Sequence, residues 1–139
     1  MKIVVDGFGG DHSPAAVLQG CALAAEEYGA SIAVTGNTAV LCKTAEENNI
    51  DISKLELVEA DGVIEVEDDP TMITKEKSNC SMAVAFRMVA EGSADAFVSA
   101  GSTAAIVVGA SLLVKRIRGI KRAALAPIIP TVNGCYMLL

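Results

Sequence analysis

Tryptophan is absent from the 139 residues, and aromatics of any kind make up only 4% of them. The apolar mass is therefore Ala, Val, Ile and Leu, the usual filling of a sheet covered by helices. There is one histidine, and the four cysteines (Cys21, Cys42, Cys80, Cys135) form no CxxC pair. That spacing offers no zinc site, and neither a metal nor a cofactor is expected. The cysteines read as reduced, mostly buried residues of a cytosolic protein. Positive charge is outnumbered, 11 Lys and Arg against 17 Asp and Glu for a net charge of −6, which argues against general nucleic-acid binding. The N-terminus, MKIVVDGFGG, has too short an apolar run for a signal peptide, so nothing points to export.

What remains is 52% hydrophobic and 20% charged, a globular composition, and the length suits a single domain spanning 1–139. No internal repeat, linker or low-complexity segment interrupts it. One stretch stands out. From Ala96 through Val114 there is no charge, about the length that spans a bilayer. It reads either as a membrane helix or as a strand that turns through a polar loop into a helix. Ser99, Gly101, Ser102 and Thr103 cluster in its first half, which suits a βα turn better.

Along the chain, strands and helices alternate. Lys2–Asp6 is a β-branched strand, and GFGGDHSP after it cannot be regular structure. Ser13 before Pro14 predicts an N-cap, with a helix from Ala15 to Tyr28 stopped by Gly29. Ser31–Gly36 is a second strand. Residues 38–49 form a second helix capped by Asn37 or Thr38, and residues 54–60 a third strand. Val63–Val66 reads as a short strand and Pro70 as the start of a helical turn. Residues 79–92 form a helix with Met82, Ala85, Phe86 and Val89 on one face. Ser78, Asn79 and Ser81 are candidate caps for it. A strand over 94–100, a turn and a helix over 104–117 follow. Asn133-Gly134 between apolar runs predicts a hairpin, irregular on its first side because of Pro127 and Pro130, with GCYMLL as a buried strand. The pattern is an α/β fold with a mainly parallel sheet and a C-terminal β-hairpin.

In such a sheet ligands bind beyond the carboxyl ends of the strands. Two glycine-bearing loops lie there, DGFGGDHSP and SAGST, each leading into a helix N-terminus suited to an anion. Tight turns alone would also call for such glycines, and the GxGxxG spacing of a dinucleotide site is missing. His12 is either a capping or packing residue or a group that manages a proton or an oxyanion. Asp6 and Asp11 could orient it or cap the helix. Lys75 and Lys77 are either solvated or within reach of an anion. KRIRGIKR (Lys115 to Arg122) is either a solvated helix end or a dock for an acidic partner.

Three segments, VVDGFGGDHSP, ADAFVSAGSTAAIVVGA and KRIRGIKRAALAPIIPT, together resemble the PlsX family of phosphate acyltransferases. The likeness runs in order along nearly the whole chain and covers the N-terminal part of longer family members. It implies a Rossmann-like, three-layer α/β/α fold and a cytosolic homodimer that touches the membrane peripherally. It also implies that acyl phosphate is made from inorganic phosphate and acyl-acyl carrier protein for phospholipid synthesis. On that reading His12, Asp11 and Lys77 are the catalytic candidates. Asp6, Gly9, Gly10, Lys75, Ser99, Gly101, Ser102 and Thr103 hold phosphate, with amides of Gly9, Gly10, Gly101 and Ser102 donating. Lys115, Arg116 and Arg118 dock the carrier protein. The rival classes are a non-catalytic phosphate- or nucleotide-binding module and a peripheral membrane scaffold anchored by residues 104–122.

Overall fold

The computed structural model describes residues 1–138. The β-branched run forms β1 (Lys2–Asp6), and α1 (Ala15–Tyr28) returns the chain to β2 (Ser31–Gly36). Then α2 (Thr38–Glu47) leads to β3 (Leu55–Glu59). A 3₁₀ turn (Pro70–Thr74), α3 (Ser81–Ala90), β4 (Ala96–Val98) and α4 (Thr103–Gly109) complete the body. The four strands are parallel, in the order β3-β2-β1-β4.

Alternation along the central strands decides the layers. Ile32 and Val34 of β2 pack with Leu18, Cys21 and Ala25 of α1 and Leu41 and Ala45 of α2. Val4 of β1 and Ala33 of β2 point the other way, onto Ala85 of α3. Behind them α3 meets α4 and the 3₁₀ turn through Ile73, Met82, Phe86 and Ala105. Helices thus cover both faces, which is why the central strands are apolar on both sides. Because α3 lies between sheet and α4, its first six residues, Ser81 through Phe86, are all buried and not one face alone. Gly109 lets α4 close on it: a Cβ there would stand 2.4 Å from Cε2 of Phe86. The Phe86 and Phe97 rings pack 4.5 Å apart.

The uncharged stretch from Ala96 to Val114 divides into β4, a loop, α4 and a π-helical turn (Ala110–Val114). No helix among the described residues is long and apolar enough to cross a membrane. The helix predicted over 104–117 stops at Val114, where Lys115 takes φ +74°. Beyond Val114 the like-charged run has no apolar face to pack, so nothing holds further turns.

Other local expectations are corrected. Ser13 does not cap α1: Pro14 stands at the cap position, and Ser13 Oγ donates instead to the Phe8 carbonyl at 3.1 Å. Asn37 does cap α2, accepting from the Val40 amide at 3.0 Å, and Asp69 caps the 3₁₀ turn at Thr71. Val63–Val66 pairs with no strand among the described residues and is loop. The hairpin forms from β5 (Ile128–Thr131) and β6 (Gly134–Met137). Its turn is Val132-Asn133, because Thr131 pairs directly with Gly134. Asn133 is not among the residues with positive φ, as a type I′ Asn-Gly turn would need. The β6 strand is exposed, not buried. Two of the four cysteines are exposed rather than a minority, Cys42 on α2 and Cys135 in this hairpin.

Candidate functional site

The chain leaves β1 toward β2 on one side, and β4 is added on the other. Between β1 and β4 the winding direction reverses, and a crevice opens at their carboxyl ends. Asp6 ends β1 there and is only 2% exposed. Its Oδ2 accepts from Ser99 Oγ at 2.8 Å and its Oδ1 from the Phe8 amide at 3.2 Å. Ser99 Oγ in turn accepts from the Gly101 amide at 3.0 Å. One buried carboxylate is thereby satisfied by both loops, and the loops are tied to one another.

This closeness dictates the glycines. A Cβ on Gly9 would lie 2.7 Å from Ser99 Oγ, 2.8 Å from Asp6 Oδ2 and 2.8 Å from the Gly101 nitrogen. Gly10 takes φ +98°, a region that side chains rarely enter. Beside the interlock lies a cavity of about 340 Å³ lined by Phe8, Gly10, Asp11, Ser13, Gly101 and Ser102. Its third wall is Val63–Val66. An adjoining depression holds His12. The amides of Gly10, Ser102 and Thr103 donate to no atom of the described residues. Gly10 and Ser102 line the cavity, so two loops bring unspent donors to one place, the arrangement that suits an anion.

Most of the predicted site residues meet here: Asp6, Gly9, Gly10, Asp11, His12, Ser99, Gly101, Ser102 and, one step behind, Thr103. Their parts differ from expectation. Asp6 does not orient His12, since its oxygens serve Ser99 and Phe8. Asp11 and His12 are both exposed, and the His12 carbonyl accepts from the Ala16 amide of α1 at 3.1 Å. The Gly101 amide is already spent on Ser99, and Gly9 serves packing. Ser102 Oγ accepts from the Ala105 amide at 3.4 Å and so caps its own helix.

The lysines stand elsewhere. Lys77 Nζ pairs with Asp68 and donates to the Val63 carbonyl at 2.9 Å. It fastens the 63–68 loop that walls the cavity, and Lys77 holds the Asp68 carboxyl below the ordinary aspartate range. Lys75 is exposed at the end of the 3₁₀ turn. Lys115, Arg116 and Arg118 are exposed in irregular chain beyond the π-helical turn, not on a helix end. Among the described residues no Lys or Arg lines the cavity, while Asp11 and Glu65 do.

Two features had no clear signal in the sequence. One is the 63–66 wall with Glu65, whose composition resembles a strand. The other is Ser81, fully buried in the first turn of α3; its Oγ has no partner among the described residues, and it is not the cap that its position suggested. No group of His, Cys, Asp and Glu among the described residues is arranged to hold a metal ion.

Residues 1–139 match the family described as "fatty acid synthesis protein". Over its whole length the chain is 40% identical to a phosphate acyltransferase of Clostridium perfringens (strain SM101 / Type A), covering 41% of that protein. It is 40% identical to a phosphate acyltransferase of Clostridium kluyveri (strain NBRC 12016), covering 42% of it. With a phosphate acyltransferase of Clostridioides difficile (strain 630) the identity is 42%, over 41% of that protein. The chain thus spans 41% to 42% of the length of these curated relatives.

Proposed function

The chain belongs to the fatty acid synthesis protein family, and from that premise we propose that it carries the phosphate-binding part of an acyltransferase. The reaction would make acyl phosphate from inorganic phosphate and the acyl thioester of acyl carrier protein, for phospholipid synthesis. The observation that carries this reading is the Asp6–Ser99 interlock, which sets two loops with unspent amides around one cavity at the β1–β4 crevice. Phosphate sits there against the Gly10, Ser102 and Thr103 amides. A phosphate oxygen attacks the thioester carbonyl carbon, the new C–O bond forms, the C–S bond breaks, and the carrier thiolate leaves and takes up a proton. Both reactants are already activated, so positioning and charge stabilisation carry most of the work. His12, at the cavity's edge, stabilises the oxyanion or hands over that proton.

The exposed Lys115, Arg116 and Arg118 suit an acidic carrier protein in a chain that is otherwise acidic. The reading extends to a homodimer working in the cytoplasm at the membrane surface, for which the exposed apolar hairpin offers area. A second reading, a binding module without catalysis, has one observation in its favour. Among the described residues the cavity holds the carboxylates of Asp11 and Glu65 and no cationic side chain to balance a phosphate.

The test mixes acyl-acyl carrier protein and phosphate with a longer family member bearing this segment, and traps acyl phosphate with hydroxylamine. Phosphate-dependent hydroxamate is expected, and His12→Ala should slow it by about 100-fold or more. Full activity in His12→Ala would remove that role. No hydroxamate from the unaltered protein would leave the binding module.

A further inference from the structure

We propose that the apolar groove between α1 and the β1–β4 edge receives the acyl chain of the substrate, an inference that rests on the acyltransferase reading above. The groove has a volume of about 320 Å³, within the range of small-molecule sites. Val17, Cys21 and Ala24 of α1 form one wall, and Ile3, Val5 and Val98 of the sheet form the floor. Its polar lining is confined to one end, where Asp6 and Ser99 stand. Among the described residues none covers the floor, where Val98 is 53% exposed.

The groove's position assigns its occupant. The depression that holds His12 shares Ala16, Val17 and Ala100 with the groove. It shares Gly10, Asp11 and Ser13 with the polar cavity. An apolar channel and a polar one therefore meet at His12. A thioester carbonyl placed at that junction directs its hydrocarbon tail into the groove and faces the phosphate in the cavity. Along α1 the lining runs from Ala16 to Ala24, about 12 Å at the helical rise, which is room for a tail of medium length.

Binding of methyl-, butyl-, octyl- and dodecylphosphonate to the 139-residue chain, measured by calorimetry, tests this. Affinity should rise about fourfold per methylene, the factor that corresponds to about 0.8 kcal/mol, until the groove is full. Gly20→Leu should cost dodecylphosphonate at least about tenfold and leave methylphosphonate unchanged. A Cβ at Gly20 meets nothing within 4 Å, and leucine favours the helix, so this variant folds. Val98→Asp, on the floor of the groove, should act the same way. A flat series in which methylphosphonate still binds overturns the groove and leaves the phosphate site standing. Failure of methylphosphonate and inorganic phosphate alike takes both away. A chain-length effect blind to both variants overturns the location. So does a dimer of the free chain that Gly20→Leu dissociates, since the groove would then belong to a second copy.

Discussion

Residues 2–114 and residues 115–138 are both rich in apolar side chains, and they meet opposite fates. In the first region Val4, Leu18, Val34, Leu41, Ile73 and Met82 lie at or near zero exposure. In the second, Ile117 is 80% exposed and Val132 fully so. The difference lies in periodicity and partners, not in hydrophobicity. In the body α1 and α2 present apolar stripes to strands that alternate beneath them, and α3 fills the space between the sheet and α4. The basic segment 115–122 has no such stripe, and among the described residues the two-stranded hairpin has no second layer to bury against. The site sits wholly in the body, where its loops are held by a buried carboxylate.

The sharpest way to break this comparison is to cut the body where it is densest. Phe86 joins α3, α4 and β4, packing on Gly109 and the Phe97 ring. Phe86→Ala should cost about 3–5 kcal/mol in urea unfolding. Next comes Gly9→Ala. Its methyl group would have to displace Ser99, Asp6 or the Gly101 backbone, and overpacking of this kind costs about 1–3 kcal/mol. The same variant should weaken any phosphate response, because the two loops can no longer touch.

Thiol chemistry separates the buried interior of the body from exposed positions without a mutation. Burial pushes the Cys21 thiol up to about 11 and raises that of Cys80 as well. In native protein near pH 8, iodoacetamide should modify Cys42 and Cys135 promptly, with Cys21 and Cys80 following only in urea; mass spectrometry reads the order. Prompt labelling of all four would mean that the body opens as readily as the hairpin. The smallest effect is expected at the hairpin tip. Val132→Ser should change stability by no more than about 0.5 kcal/mol, and a larger loss would show that the tip is covered in solution.

Much of the body was legible in the sequence because its signals are local. The β-branched runs, the Asn37 cap, Gly29 at the end of α1 and Pro70 in the 3₁₀ turn each act within a few residues. The failures have a common cause in tertiary competition. Ser13 looks like a cap, but the Phe8 carbonyl claims its hydroxyl. Val63–Val66 has a strand's composition but no strand beside it to complete a ladder. Lys77 looks free to meet a ligand, yet Asp68 and the Val63 carbonyl hold it. The hairpin was visible, whereas its turn lay one residue earlier than the Asn-Gly pair suggests. In the site, the loops could be found from their glycines. The bond between Asp6 and Ser99, 93 residues apart, could not, because only the sheet order brings β1 and β4 together.

The most direct measurement of the central claim is a titration of the ¹⁵N-labelled chain with inorganic phosphate, followed by amide chemical shifts. Saturable changes centred on Gly10, Ser102 and Thr103, with the α2 and hairpin amides still, are the predicted result. Absence of saturable changes in these two loops, or their appearance only at Lys115 to Arg122, would contradict it.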